Sequence, residues 1–113
     1  AVEEILDYEE VDPAMAAKGD LFALRVKGDS MEPRIREGDV IICAETPCVE
    51  SGTVAVVLVN GNEATVKKVV KHKEGLSLVA FNPAYSPMFY TNEECETLPV
   101  RIVGRVIELR GKF

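Results

Sequence analysis

Turn-forming residues divide this chain into short strand-like runs, and their spacing constrains the fold more than any other feature of the sequence. The runs are residues 21–27, 40–44, 53–59, 63–71, 76–81, 88–90 and 100–109. Asn60-Gly61, which separates two of them, is a pair typical of two-residue β-hairpins. Frequent turns between short strands predict a mostly antiparallel β domain, arranged as a small barrel-like or sandwich fold with very little helix.

Some runs allow a more specific prediction. Run 53–59 is the most apolar and is expected at the centre of the sheet. The short run 88–90 is expected at an edge. Gly104 interrupts the last run and is expected to mark a β-bulge.

The first 20 residues predict an arm, and residues 21–113 a single domain with one core. Residues 1–12 contain six carboxylates with apolar residues between them, a pattern that favours an extended segment with one short strand. Residues 13–18 could form one helical turn with Asp12 as its cap.

Composition excludes several classes of function. The net charge of −6 opposes binding to DNA phosphates. Cys43, Cys48 and Cys95 lack the spacing of a zinc site, so we expect reduced thiols, no metal and no cofactor. No apolar run approaches the ~20 residues of a membrane span, and the basic start of a signal peptide is absent. We therefore expect a cytoplasmic protein with no membrane contact.

Gly28-Asp29-Ser30-Met31 follows the first long run and is the first candidate for chemistry. The run alternates between apolar and polar residues and stops at Gly28, which permits a turn that other residues resist. A serine just beyond a strand end can present its hydroxyl close to free N–H groups, as a nucleophile with an oxyanion hole requires. The same residues also occur in ordinary turns and helix caps.

A nucleophilic serine needs a base, and the sequence offers His72 or a lysine. His72 lies between two lysines beside a turn, which is typical of a solvated strand end. A lysine must be buried to be neutral and act as a base. Lys67 and Lys68 both interrupt an apolar run, with Thr65 and Lys67 on the same face. Alternation alone does not choose between the two lysines.

The order of these motifs resembles the LexA-type serine–lysine peptidases, a family of self-cleaving bacterial and phage repressors and UmuD-like proteins. The resemblance covers residues 20–113. Its motifs are residues 28–31, Gly38-Asp39, residues 65–68, 82–85 and 103–107.

The resemblance implies a role for each matching residue. Ser30 would be the nucleophile, Lys67 the neutral general base, and Lys68 its solvent-side neighbour. The backbone N–H groups of Asp29 and Ser30 would form the oxyanion hole, and Met31 would wall the site. Residues 100–109 would contribute to a homodimer.

Members of the family cut one Ala-Gly or Cys-Gly bond in a loop that precedes their own catalytic domain. A RecA filament on single-stranded DNA promotes the cut in LexA-like members, which separates an N-terminal helix-turn-helix domain and relieves repression during the SOS response. This chain contains neither dipeptide. We therefore expect the C-terminal domain of a longer repressor, whose operator contacts lie in a missing N-terminal domain and whose arm follows the cleavage loop.

Three other functions share some of these motifs. A UmuD-like subunit of an error-prone polymerase would be activated by the same cut and would have only a short arm before it. A signal peptidase has a similar serine motif but carries a membrane anchor. A dimerisation module without catalysis would keep the fold alone.

Overall fold

The computed structural model describes residues 4–6, 20–60 and 63–111, which form one antiparallel sheet and one short helix. The strands are β1 (Glu4–Leu6), β2 (Leu21–Arg25), β3 (Val40–Glu45), β4 (Thr53–Val59), β5 (Glu63–Lys71), β6 (Gly75–Val79), β7 (Met88–Thr91) and β8 (Val100–Arg110). Helix α1 (Asn92–Thr97) lies between β7 and β8. The mostly antiparallel β fold with very little helix is confirmed.

The last strand lies at the centre of the sheet. The strand order is β1-β2-β3-β8-β4-β5-β6-β7, so β8 joins β1–β3 to β4–β7. Every neighbouring pair is antiparallel. The sheet is open, since no pairing connects β1 with β7 in the described part of the chain. The central position of β4 and the edge position of β7 agree with the sequence.

Two apolar clusters pack on opposite faces of the central strands. Val56 of β4 belongs to one cluster, together with Leu24 and Met31. Its neighbours Ala55 and Val57 belong to the other. Because successive residues of a strand face opposite sides, a strand covered on both faces needs apolar residues throughout, which explains the composition of β4.

β8 carries the bulge expected at Gly104. Its register with β4 steps from Gly104 to Ile102 between Val56 and Val57, which leaves Val103 as the extra residue. A side chain at position 104 would place its Cβ 2.5 Å from Cζ of Phe22. Glycine is therefore required there by the close approach of an aromatic ring.

Helix α1 was not predicted. Thr91 caps it by accepting a hydrogen bond from the Glu94 N–H, and the Glu94 side chain accepts one from the Thr91 N–H. This reciprocal capping box was readable as Thr-x-x-Glu.

Several predictions fall partly or wholly outside the described residues. The helical turn at residues 13–18 lies outside them, and the division at residue 20 stays a prediction. Glu4–Leu6 pairs with β2 as a short strand of the arm. At the hairpin, Asn60 has a φ of 57°, as a type I′ turn requires, while Gly61 is not described.

Candidate active site

The serine turn starts where the chain leaves β2, and it is closed at its base. Gly28 and Gly38 have φ angles of +83° and +88°, a left-handed conformation that residues with a Cβ resist. The Val26 N–H donates to the Asp39 carbonyl at 2.9 Å, and the Gly38 N–H donates to the Val26 carbonyl at 2.8 Å. These two bonds hold the ends of the loop together and fix where Ser30 emerges.

Ser30 and Lys67 meet in the interior of the protein. The Lys67 Nζ lies 2.9 Å from the Ser30 Oγ, and the two residues are only 1% and 4% exposed. The amine also donates to the Thr65 Oγ1 at 2.7 Å and to the Val66 carbonyl at 3.0 Å. Thr65 and Lys67 are on the same face of β5, whereas Lys68 is half-buried on the other.

This geometry suits a neutral amine as well as an ammonium group. Burial disfavours the charged form of a lysine. A neutral amine has two protons for Thr65 and Val66, and its lone pair then faces the Ser30 hydroxyl. In that state the Ser30 O–H donates to the Lys67 nitrogen, as general-base activation of a hydroxyl requires.

The loop between β6 and β7 closes over the serine turn. Asn82 donates its backbone N–H to the Ser30 carbonyl and its side-chain amide to the Asp29 carbonyl, each at 3.0 Å. The Tyr85 hydroxyl donates to the Asp29 carboxylate. This hydrogen bond, with the negative charge of Asp29, raises the pKa of Tyr85. Residues 82–85 were evident in the sequence only as a motif. Their contacts with the serine turn could not be predicted, because the partners are more than 50 residues apart in the chain.

A cleft of about 260 Å³ opens above the serine and the lysine. It is lined by Ser30, Val59, Thr65, Lys67, Ala80, Tyr85, Ser86, Met88 and Tyr90. Polar groups thus lie at its floor and mostly larger side chains from β7 and the preceding loop at its wall. The cleft is large enough to hold side chains of an extended peptide.

The site was also expected to include Met31 as part of its wall and the backbone N–H groups of Asp29 and Ser30 as an oxyanion hole. Met31 is 1% exposed and packs in the core with Leu24 and Ile35, below the turn and outside the cleft lining. Its proposed part in walling the site stays a prediction. Among the described residues, no acceptor is bonded to the N–H of Asp29 or Ser30.

His72 makes its contacts with a different set of residues. Its Nε2 lies 2.8 Å from the Ser77 Oγ, and its ring meets Phe89 edge-on at 5.8 Å. The serine instead contacts Lys67. Within residues 4–6, 20–60 and 63–111, no group of three metal-ligating side chains occurs.

The chain is similar to known proteins over most of its length. Residues 1–107 match the family described as Peptidase S24-like, and the chain belongs to this family. In the part of the chain that the structure describes, no helix has the length and apolarity to cross a membrane.

Individual relatives carry the name LexA repressor. The protein from Syntrophobacter fumaroxidans is 42% identical over 111 residues, which are 97% of this chain and 51% of that protein. The protein from Ruegeria sp. is 36% identical over 96 residues, 84% of this chain and 38% of the relative. The protein from Desulfatibacillum aliphaticivorans is 35% identical over 105 residues, 92% of this chain and 50% of the relative. The chain therefore spans about half or less of the length of these relatives.

Proposed function

We propose that this chain is the autoproteolytic and dimerisation domain of a LexA-like transcriptional repressor, and that Ser30 and Lys67 cut the repressor's own polypeptide. The buried contact of 2.9 Å between the Ser30 Oγ and the Lys67 Nζ carries this proposal. A lysine is placed inside a β domain at high desolvation cost, and a base for a nucleophilic serine accounts for that placement. Membership in a peptidase family supports it.

The reaction follows from the two side chains. The Ser30 oxygen attacks the carbonyl carbon of the scissile peptide while its hydroxyl proton moves to the neutral Lys67 amine. The C–N bond then breaks, and Lys67 returns the proton to the leaving nitrogen. Water then attacks the carbonyl carbon of the resulting ester while Lys67 takes a proton from it. The ester C–O bond breaks, and Lys67 passes that proton to the Ser30 oxygen, which restores the hydroxyl and the neutral amine.

The developing negative charge on the carbonyl oxygen needs donors fixed in advance. We assign this role to the backbone N–H groups of Asp29 and Ser30, for which no protein acceptor is found among the described residues. Lys68, on the other face of β5, has no part in the reaction.

The proposed cut would relieve repression of the genes that the repressor controls. In this proposal residues 100–109 contribute to a homodimer, and operator DNA is bound by a helix-turn-helix domain outside this chain. A RecA filament on single-stranded DNA would trigger the cut during the SOS response, in the cytoplasm where the DNA lies. The names and lengths of the relatives favour a repressor over a UmuD-like polymerase subunit.

Intact-mass spectrometry of the longer protein tests the proposal. We would incubate it at pH ~7 and at pH ~10, because the pKa of a lysine lies between these two values or above them. The variants Ser30→Ala, Lys67→Ala and Lys68→Ala would be incubated in parallel. Two fragments should form, faster at the higher pH, in the unsubstituted protein and in Lys68→Ala. They should be absent in Ser30→Ala and Lys67→Ala. A protein that stays intact with activated RecA, or a cut that needs Lys68 and not Lys67, would refute the assignment.

A further inference from the structure

Asn82 binds both peptide groups that flank the serine. Its side-chain amide donates to the Asp29 carbonyl at 3.0 Å, and its backbone N–H donates to the Ser30 carbonyl at 3.0 Å. The Asp29 carbonyl also accepts from the Glu32 N–H at 3.1 Å. No other described residue reaches the carbonyls on both sides of Ser30.

A fixed carbonyl also fixes the N–H of the next residue, because the two groups share one planar peptide unit. The bond from the Asn82 side chain to the Asp29 carbonyl therefore orients the Ser30 N–H. In the same way, the bond to the Ser30 carbonyl orients the Met31 N–H. An oxyanion hole depends on this orientation, since its donors must already point at the place where charge develops.

Asn82 is itself held in place. Its side-chain oxygen accepts the Ala84 N–H at 2.9 Å, and its carbonyl accepts the Tyr85 N–H at 3.1 Å. The Tyr85 hydroxyl then returns to the Asp29 carboxylate. The side-chain amide of Asn82 is therefore held by a tight turn, and Tyr85 of the same turn binds the Asp29 side chain.

We propose that Asn82 is a positioning residue, which sets the direction of the Ser30 N–H for the oxyanion hole by holding the Asp29–Ser30 peptide from the β6–β7 loop. The catalytic consequence rests on the proposed peptidase function. The structural consequence, a rigid peptide at Ser30, does not depend on that function.

Asn82→Asp is the most specific variant. An aspartate oxygen still accepts the Ala84 N–H, and the backbone N–H still reaches the Ser30 carbonyl. The donor to the Asp29 carbonyl is removed, and one negative charge is added. Asn82→Ala removes the same donor without adding charge, so equal losses in the two variants would exclude the new charge as their cause.

Asn92→Asp provides the matched control. The Asn92 side chain also donates to a backbone carbonyl, that of Lys73 at 2.9 Å. That contact is exposed, lies outside the cleft, and joins α1 to the turn before β6.

The first measurement is the rate at which a fluorophosphonate labels Ser30 in the 113-residue chain, followed by intact mass between pH ~6 and ~10. In this step the Ser30 oxygen forms a bond to phosphorus, fluoride leaves, and the hydroxyl proton passes to Lys67. Loss of one oxyanion donor lowers kcat about 100-fold or more, and we expect misdirection of one donor to slow labelling about 10-fold. In Asn82→Ala the midpoint of the pH profile should not move, because Lys67 keeps its contacts and no charge is added. Asn92→Asp should label at the unsubstituted rate.

The second measurement needs no activity. The ¹⁵N order parameter of the Ser30 amide should fall from the rigid value of about 0.85 toward about 0.6 in both Asn82 variants, and stay unchanged in Asn92→Asp. Unchanged order parameters, an equal loss in Asn92→Asp, or a shifted pH midpoint in the uncharged variant Asn82→Ala would each overturn the inference. Failure of the unsubstituted chain to take label would refute the peptidase proposal instead, and the order parameters would still decide the role of Asn82.

Discussion

Thr65 accepts a hydrogen bond from Lys67 but forms no bond to the substrate in the proposed reaction. Substitutions at Thr65 therefore test how the Lys67 amine is positioned. The Thr65 Oγ1 lies 2.7 Å from the Lys67 Nζ. Thr65→Val keeps the shape but leaves the buried amine without that acceptor, at a cost of about 1–3 kcal/mol in unfolding free energy. Part of the 10²–10⁴-fold contribution of a positioned base should also be lost, so we expect cleavage to slow about 10-fold.

Thr65→Ser keeps the hydroxyl and is the control. It should cleave at close to the normal rate, with a stability near that of the unsubstituted protein. Cleavage assays and urea denaturation would measure both quantities. If valine and serine behave alike at this position, the hydroxyl does not orient the amine.

Cys43 sets an alkaline limit on the stability of the fold. Burial raises the pKa of its thiol from 9.0 to about 12. In the unfolded chain the thiol loses its proton from pH 9 upward, whereas the folded protein retains it. The unfolded state then binds fewer protons, so stability is intact below pH 9.0 and falls between 9.0 and about 12, by up to ~1.4 kcal/mol per pH unit.

Urea denaturation at several alkaline pH values would measure this slope. Cys43→Ala should flatten it, whatever it does to stability at neutral pH. An equally steep slope in Cys43→Ala would assign the alkaline loss to other groups. The same limit matters for cleavage at high pH, which must be measured where the protein is still folded.

At the residue scale, the choice between Lys67 and Lys68 could not be predicted from the alternation of residues along the strand. A half-buried strand reveals its inner face by alternation, but β5 is packed on both sides. Val66 belongs to one core cluster and Val69 to the other. Residues on both faces are therefore apolar, and the pattern cannot show which lysine points at Ser30. The resemblance to a family chose Lys67, and the structure brings that residue to the serine.

At the scale of elements, the bulge in β8 depends on the absence of a side chain at Gly104. A Cβ there would lie 2.5 Å from Cζ of Phe22 and 3.2 Å from the Ala44 carbonyl oxygen. Gly104→Ala should therefore cost about 1–3 kcal/mol, as overpacking does elsewhere. Phe22→Leu removes the ring, so the double variant should lose less than the sum of the two single losses. Additive losses in urea denaturation would show that the backbone, and not the ring, opposes the alanine.

Strand positions were readable because each depends on local alternation and on adjacent turns, as at Asn60. The position of β8 between β3 and β4 was not readable, because it depends on pairing between distant parts of the chain. Helix α1 has six residues, too few for an amphipathic period. Only the Thr91–Glu94 capping box could have revealed it.

At the scale of the whole molecule, the exposed apolar side chains fall into two regions. Among the described residues the large ones are Tyr85, Met88, Phe89 and Leu109, at 42%, 38%, 49% and 43% exposure. Tyr85 and Met88 line the cleft, and Phe89 follows on β7. A peptide-binding cleft accounts for Tyr85 and Met88, whereas Phe89 is absent from its lining and instead meets the His72 ring edge-on. Leu109 lies on β8, opposite Ile41 of β3, where the cleft does not explain its exposure.

A dimer contact through β8 would cover Leu109. Leu109→Lys should then weaken the homodimer at least about 10-fold, since an unpaired buried charge costs more than the ~1.4 kcal/mol that this factor represents. Phe89→Lys adds the same charge to a similarly exposed site on β7 and should leave the dimer intact. Sedimentation equilibrium measures both. The two variants change net charge identically from −6, so any general relief of repulsion between protomers cancels in the comparison. A dimer weakened only by Phe89→Lys would move the contact from β8 to β7.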